Sequence, residues 1–68
     1  MEKLLNKVKV CRAERDISQD VLAKAVGVSR QTIVAIEGGD YSPSVVLALK
    51  IAAYFGKPLG EIFKLENT

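Results

Sequence analysis

The feature that most limits how this chain can fold is a short segment in which two helical patterns meet at a glycine. Apolar side chains repeat at Leu22 and Val26 before Gly27, and at Ile33 and Ile36 after it. Spacings of three and four residues line one face of a helix. Gly27 lies where a helix ends, because glycine accepts positive φ at little cost. Two helices joined by a short turn centred on glycine predict a helix-turn-helix.

This motif, about residues 18–37, also meets the packing needs of two helices that cross closely. Ala23 supplies a small side chain where the two backbones approach, and Val28 adds an apolar side chain from the turn. Ser18 and Ser29 each precede a helical pattern and are good N-caps, because a serine oxygen accepts a hydrogen bond from a free backbone N–H. Every requirement of the motif is met at the right spacing.

Three further helices are predicted outside the motif. The first covers Leu5–Glu14, with Asn6 as a candidate N-cap. Another covers Pro43–Phe55, has proline at its first position and is apolar almost all round, which predicts burial on most sides. A short one covers Pro58–Phe63. The sequence therefore predicts an all-α fold.

Composition excludes several classes of protein. The chain has 68 residues, enough for one domain, and Cys11 is its single cysteine, so it forms no intramolecular disulfide. It has no histidine, which excludes zinc sites built from Cys and His. Nor does it contain an apolar run of the ~18 to 20 residues that span a bilayer, or a signal-peptide core. We expect a cytoplasmic protein without cofactor or metal that is not an enzyme and has no small-molecule pocket.

Cys11 and the two termini each allow two interpretations. Cys11 is either a small core residue or, if exposed and of lowered pKa, a redox-sensing thiol. Residues Met1–Leu5 and Ile62–Glu66 alternate in polarity. They either pair as two antiparallel strands or fray, as chain ends often do.

The motif and its surroundings resemble the phage-repressor, or Cro-type, helix-turn-helix family, also called the xenobiotic-response-element family. The resemblance runs from about residue 8 to residue 63 and is closest to short stand-alone members such as the cytolysin-type repressors. The matching stretches are Arg12-Ala-Glu-Arg, Ile17-Ser-Gln, Leu22-Ala, Val26-Gly-Val-Ser-Arg-Gln-Thr-Ile, Ile36-Glu-Gly-Gly, Tyr41-Ser-Pro-Ser and Leu47-Ala-Leu-Lys-Ile-Ala.

This resemblance implies a five-helix, lambda-repressor-like DNA-binding domain that fills residues 1–68. In the short members the termini pair as a small antiparallel sheet, which favours the strand interpretation of both ends. The family acts as homodimers on palindromic operators, so we expect double-stranded DNA with an inverted repeat as the partner.

The second motif helix, residues 29–37, is the expected recognition helix, whose N-terminal residues meet base edges in the major groove. Arg30 suits guanine and Gln31 suits adenine, each through paired hydrogen bonds. Ser29 is a further polar candidate, and Val34 suits a thymine methyl group. The alternative is that Arg30 and Gln31 are only solvated surface residues.

Phosphate contacts are expected from Gln19, Thr32, Tyr41 and Ser44. The resemblance assigns Gln19 to a phosphate at the start of the first motif helix, where free N–H groups and the helix dipole also favour an anion. The other three are weaker candidates, and Tyr41 is equally suited to packing in its loop.

The resemblance further implies a partly buried, mainly structural ion pair between Arg12 and Glu37. The family often has Asn-Gly and then a basic residue after this glutamate, whereas this chain has Gly38, Gly39 and Asp40. The acidic Asp40 and a net charge of only +2 predict modest binding by charge alone.

The apolar residues near the C-terminus exceed what so small a domain must bury. Leu59, Ile62, Phe63 and Leu65 are therefore candidates for a dimer interface. The alternative, strongest for Phe63, is that some of them complete the core.

The function that these features favour is a dimeric transcriptional regulator, most simply a repressor. One alternative is an antitoxin or a restriction-system controller of the same fold. Another is a protein-interaction module that has lost DNA binding, which the low charge and Asp40 motivate.

Overall fold

The computed structural model describes residues 3–66, which form five helices and one two-stranded sheet. In chain order the elements are β1 (Lys3–Asn6), α1 (Val8–Arg15), α2 (Gln19–Val26), α3 (Arg30–Glu37), α4 (Val45–Phe55), α5 (Leu59–Ile62) and β2 (Phe63–Glu66). The predicted five-helix fold with a small antiparallel sheet at the chain ends is confirmed.

Serine hydroxyls begin three of the helices. The oxygens of Ser18, Ser29 and Ser44 accept backbone N–H groups one turn into α2, α3 and α4, at 3.1, 3.3 and 3.1 Å respectively. Each such cap satisfies a donor that the helix itself leaves free. Between α2 and α3 the backbone of Gly27 has φ 79°, a left-handed conformation that favours glycine. The turn between the motif helices thus follows from Gly27, which ends α2, and Ser29, which caps α3.

The core draws a large apolar residue from each helix. The largest side chains with almost no exposure are Val8, Leu22, Ile33, Ile36, Ile51 and Ile62. Ala23 is buried among them, as the close approach of α2 and α3 requires. Cys11 is buried in the same cluster. Burial raises the pKa of its thiol, with Lys57 opposing the effect, so the redox-sensing interpretation is not supported.

The sheet joins the two ends of the described chain. Strands β1 and β2 are antiparallel, with Lys3 opposite Glu66 and Asn6 opposite Phe63. The N–H of Lys7 also donates to the carbonyl of Ile62 at 2.8 Å. Of the expected strand residues, Met1 and Glu2 lie outside the described part of the chain.

Five predicted helix boundaries were wrong, two of them by one residue: α1 ends at Arg15 rather than Glu14, and α5 starts at Leu59 rather than Pro58. Helix α1 starts at Val8 rather than at Leu5, because Leu5 is hydrogen-bonded into the sheet. Helix α4 starts at Val45 rather than at Pro43, because Ser44 supplies the cap. Helix α5 ends at Ile62, and Phe63 already has the extended backbone of β2. Pairing between distant chain ends overrode the local helical pattern at two of these five places, the start of α1 and the end of α5.

The expectation that α4 is buried on most sides was also wrong. Three of its large side chains, Val45, Val46 and Leu49, are exposed. Helix α4 instead buries one face, formed around Leu47 and Ile51, against the rest of the core.

Candidate nucleic-acid interface

Helix α3 separates a buried face from an exposed polar face. Ile33 and Ile36 are buried and fix the helix against the core. The outward-facing residues of its first two turns are exposed; these are Arg30, Gln31 and Val34. No hydrogen bond links the side chains of Arg30 and Gln31 to another residue among those described. Two long hydrogen-bonding side chains and one short apolar one are therefore available to a ligand from the start of α3.

Ser29 and Thr32 are already engaged with each other at the N-terminus of α3. The Ser29 oxygen accepts the Thr32 backbone N–H, and the two hydroxyl oxygens lie 3.1 Å apart. The structure thus places Ser29 in a cap, a role that the sequence supports equally well. A hydroxyl that accepts one hydrogen bond still has a proton to donate.

A charged cluster holds the C-terminal end of α3. The guanidinium of Arg12 donates twice to the carboxylate of Glu37, from Nε at 2.6 Å and from Nη2 at 3.0 Å. Its Nη1 donates to the carbonyl of Ile17 at 3.0 Å. The side-chain amide of Gln19 donates to Glu37 at 3.1 Å. Helices α1, α2 and α3 therefore meet at one carboxylate.

This cluster is shielded from water, and Glu37 is held in its ionised form. The side chain of Glu37 is only 6% exposed and that of Arg12 15%. Burial disfavours the charge on Glu37, but hydrogen bonds from Arg12 and Gln19 and the Arg12 charge outweigh it, so the pKa of Glu37 lies below its ordinary value. The hydrogen bond to Glu37 raises the pKa of Arg12, against the effect of burial.

An open hollow lies beside the cluster, at the N-terminus of α2. It is lined by Arg12, Ser18, Gln19, Asp20 and Arg30. The hollow lies between the first turn of α2 and the first residue of α3. Asp20 brings a negative charge to the same place and lowers its attraction for phosphate.

The remaining candidates for phosphate contact lie in and after the loop between α3 and α4. Tyr41 is exposed there and lines a cleft that faces the sheet, together with Leu4 and Phe63. Ser44 is exposed at the start of α4, with its oxygen on the backbone N–H of Leu47. These hydroxyls and the α2 hollow are not in contact with one another within the described residues.

Asn6 ties the sheet to α3, whereas its prediction as the N-cap of α1 was wrong, because that position is Lys7. Its side-chain amide donates to the carbonyl of Ile36 at 2.8 Å, and its side-chain oxygen accepts the N–H of Val8 at 3.1 Å. One side chain thus accepts the first N–H of α1 and holds the last turn of α3. No local sequence signal identifies a contact across 30 positions.

The residues expected at a dimer interface do not form one surface. Leu59 and Leu65 are exposed, and Phe63 is half-buried and packs on the core. Ile62 is 1% exposed, so its assignment to an interface was wrong. It points inward because α5 must cover the end of the core.

Comparison with known proteins decides the family. A helix-turn-helix family profile matches residues 8–62. The chain belongs to the helix-turn-helix family of transcriptional regulators. It is 53% identical over 62 residues to an uncharacterized HTH-type transcriptional regulator of Methanocaldococcus jannaschii, covering 91% of this chain and 94% of that one.

Two further helix-turn-helix proteins extend the comparison. The cryptic phage CTXphi transcriptional repressor RstR of Vibrio cholerae is 35% identical over 63 residues, which cover 93% of this chain and 57% of RstR. A crystal structure of a Bacteroides fragilis protein proposed to bind DNA superposes with a TM-score of 0.81 at 26% identity, covering 90% of this chain and 98% of that one. The resemblance seen in the sequence is confirmed, and the helix-turn-helix family is regulatory rather than enzymatic. Within residues 3–66, no helix is both long and apolar enough to cross a membrane.

Proposed function

We propose that the protein is a transcriptional repressor that binds an inverted-repeat operator as a homodimer, with α3 in the major groove. The observation that carries this proposal is the exposed start of α3, where Arg30, Gln31 and Val34 face away from a buried rear. The kinship with RstR, which is named as a repressor, supports the direction of regulation.

The side chains at the start of α3 suit specific reading of bases. Arg30 can donate two hydrogen bonds to guanine, and Gln31 can form two hydrogen bonds with N6 and N7 of adenine in the major groove. Val34, one helical turn after Arg30, can contact a thymine methyl group. Each well-made pair contributes about 1–3 kcal/mol of discrimination against the wrong base. Because Ser29 is engaged as a cap, Arg30 and Gln31 carry most of the proposed recognition.

Phosphate groups are proposed to position α3 in the groove. One amide hydrogen of Gln19 is held by Glu37, which leaves the second to donate to a phosphate in the hollow of α2. Ser44 keeps a hydroxyl proton to donate, and Thr32 keeps one when Ser29 is the donor between their two hydroxyls. Tyr41 offers an exposed phenol. Such contacts fix orientation without reading sequence.

The size of the subunit fits a site of two half-sites. The described chain spans 33 × 22 × 21 Å. Symmetric dimers of this class place their recognition helices one DNA turn, about 34 Å, apart. Two copies related by a twofold axis can meet that spacing with one subunit on each half-site. Occupation of an operator that overlaps a promoter then represses transcription.

The test is selection of bound fragments from a random DNA pool at about 0.1 M salt, where non-specific charge attraction is damped. We expect the wild type to enrich an inverted repeat and the Arg30→Ala, Gln31→Ala double variant to enrich none. Lys64→Ala is the matched control, because it removes the same charge from β2, away from α3. Enrichment lost equally in the control, or absent in the wild type, contradicts the proposal.

The salt dependence of binding separates this function from a second candidate. Asp20 and Asp40 place negative charge in the hollow and after α3, and the net charge is +2. Few phosphate contacts predict a shallow loss of affinity with salt. A complete absence of salt-sensitive DNA binding favours instead a protein-interaction module of the same fold.

A further inference from the structure

Helix α4 carries an exposed face made almost entirely of aliphatic side chains. Val45 is 72% exposed, Val46 63% and Leu49 51%. The exposed positions also include Ala53 and Lys50. Helix surfaces that face water are normally polar, so an exposed aliphatic face on a helix indicates a surface that another molecule covers.

These side chains are arranged as a helix-packing surface. Val45, Leu49 and Ala53 recur every four residues and form one ridge along the outer side of α4. Val46 lies beside the ridge between its first two members. Lys50 lies at the edge of this arc, because it follows Val46 by one turn. We call these four apolar residues, Val45, Val46, Leu49 and Ala53, the α4 ridge.

We propose that the α4 ridge is the dimer interface and that its occupant is the same helix of a second copy. This inference rests on the proposed function, which requires a homodimer, and it gives that dimer a different face from the one expected at the C-terminus. In a twofold interface each patch meets itself, so the patch must be self-complementary. An uncharged aliphatic ridge meets that condition, because no like charges are brought together.

The position of small and charged residues also fits this pairing. Ridges formed by every fourth residue pack into the matching grooves of a second helix. Ala53 leaves room for the larger Leu49 of the other copy when the two helices cross in opposite directions. Lys50 stays at the rim, where charged side chains of interfaces are normally found.

The competing surface around the sheet fits self-association less well. Side chains alternate between the two faces of a sheet, so the face that carries the exposed Leu5 also carries Lys64 and Glu66. Pairing of that face with its copy takes charged groups out of water, which costs free energy unless each finds a partner. The other face exposes Leu65 as its one large apolar side chain among the described residues. The α4 ridge contains no such group.

The area required extends the interface somewhat beyond the ridge. A stable interface buries about 800 Å² on each partner, which is about a sixth of the 4553 Å² exposed by one chain. Helix α5 packs against α4 and carries the exposed Leu59. Leu59 is therefore the one residue of the C-terminal set that we retain at the edge of the contact.

The test is the oligomeric state of the full chain by sedimentation equilibrium, without DNA. We expect the wild type to sediment at twice the 7.4 kDa of one chain. Leu49→Glu should weaken dimerisation at least about 100-fold, because each dimer loses two leucines and gains two like charges at the contact. Val10→Glu is the matched control, with 53% exposure on α1, and should stay dimeric.

Further variants keep the result decisive. Val46→Glu repeats the test at a more exposed site if Leu49→Glu fails to fold by circular dichroism. Leu65→Glu tests the sheet surface and should leave the dimer intact. A mixture of Leu49→Glu with Leu49→Lys should restore a dimer, because the contact then holds opposite charges in place of like ones. A monomeric wild type, or a dimer that only Leu65→Glu dissociates, overturns the proposal.

Failure of this inference is distinguishable from failure of the proposed function. A dimer that Leu49→Glu dissociates but that enriches no DNA supports the α4 ridge and contradicts operator binding. If the wild type enriches an inverted repeat and the Leu49→Glu variant is still a dimer, operator binding is supported and the α4 ridge is contradicted as the interface.

Discussion

Replacing Glu37 with alanine should cost this protein much of its stability without touching the exposed face of α3. The substitution removes the carboxylate that accepts three hydrogen bonds, two from Arg12 and one from Gln19. The guanidinium then keeps only its bond to the carbonyl of Ile17. The positive charge of Arg12, which is paired and mostly buried in the wild type, is then left without its partner.

The magnitude follows from burial. Breaking a fully buried ion pair from one side costs about 3–5 kcal/mol, because the remaining charge stays unpaired. The Arg12 side chain is 15% exposed, so water recovers part of that loss and the lower end, about 3 kcal/mol, is expected. A domain of this size loses about 4–8 °C in Tm per kcal/mol. Glu37→Ala should therefore melt some 10 to 25 °C below the wild type, as about 3 kcal/mol implies.

The assay is urea and thermal unfolding of Glu37→Ala, Arg12→Ala and the double variant. Because both single variants break the same pair, the double variant should lose at least about 1 kcal/mol less than the sum of the two. Glu37→Gln keeps the shape of the side chain and should lose less stability than Glu37→Ala. Unchanged melting with weakened DNA binding refutes the structural role and makes Glu37 a functional residue. An additive cycle refutes the coupling.

Three further predictions concern the groups that hold the helices in place. Glu37 has its pKa lowered by folding, so its ion pair should stabilise the fold above its ordinary pKa of 4.5 and be lost progressively as the pH falls further, measured as urea stability from pH 7 to 3. Asp16→Gly should raise stability by about 0.5–1 kcal/mol, because the left-handed backbone at φ 55° strains a side chain by more than glycine loses in chain entropy. Asn6→Ala should lower stability by about 1–2 kcal/mol, since it removes the hydrogen bonds to Ile36 and Val8.

Each of these has its own control. The Glu37→Gln variant should lose less urea stability than the wild type between pH 7 and pH 3. An equal loss in that variant assigns the effect to other carboxylates. Asp16→Ala retains the strained side chain, so a gain equal to that of Asp16→Gly contradicts the strain argument. Asn6→Asp keeps the oxygen that accepts the N–H of Val8 but loses the donor to Ile36. Stability equal to the wild type in Asn6→Asp excludes the contact with α3.

The parts of the fold that could be predicted are those with local causes. Gly27 and the serines before α2 and α3 specify turn and caps within a few residues, and the spacing of Ile33 and Ile36 specifies the buried face. The start of α1 was wrong because Leu5 fits both a helix and a strand, and the strand is selected by pairing with β2. Such pairing is invisible in a window of ten residues.

The candidate site divides in the same way. The exposure of Arg30 and Gln31 follows from the helical period. The sequence does not decide whether the Ser29 hydroxyl caps α3 or faces a ligand, and in the structure it caps α3. The contact of Asn6 with α3 depends on how the chain ends pack, and the exposed side of α4 on which face finds the core. Apolar composition identified α4 as a packing helix without identifying what covers its second side.

Helix α3 is held at its C-terminal end and free at its N-terminal end, and this separates the effects of substitutions at the two ends. Glu37 is clamped by α1 and α2, and the carbonyl of Ile36 is bound by the sheet through Asn6, both within the last turn of α3. Arg30 and Gln31 lie about two turns earlier and take part in neither clamp. Substitutions at the clamps should therefore lower the melting temperature and the binding of DNA together, in proportion to the fraction unfolded. Substitutions at the free end should change which DNA is selected while the melting temperature stays constant, so a melting curve alone sorts any variant of α3 into one class or the other.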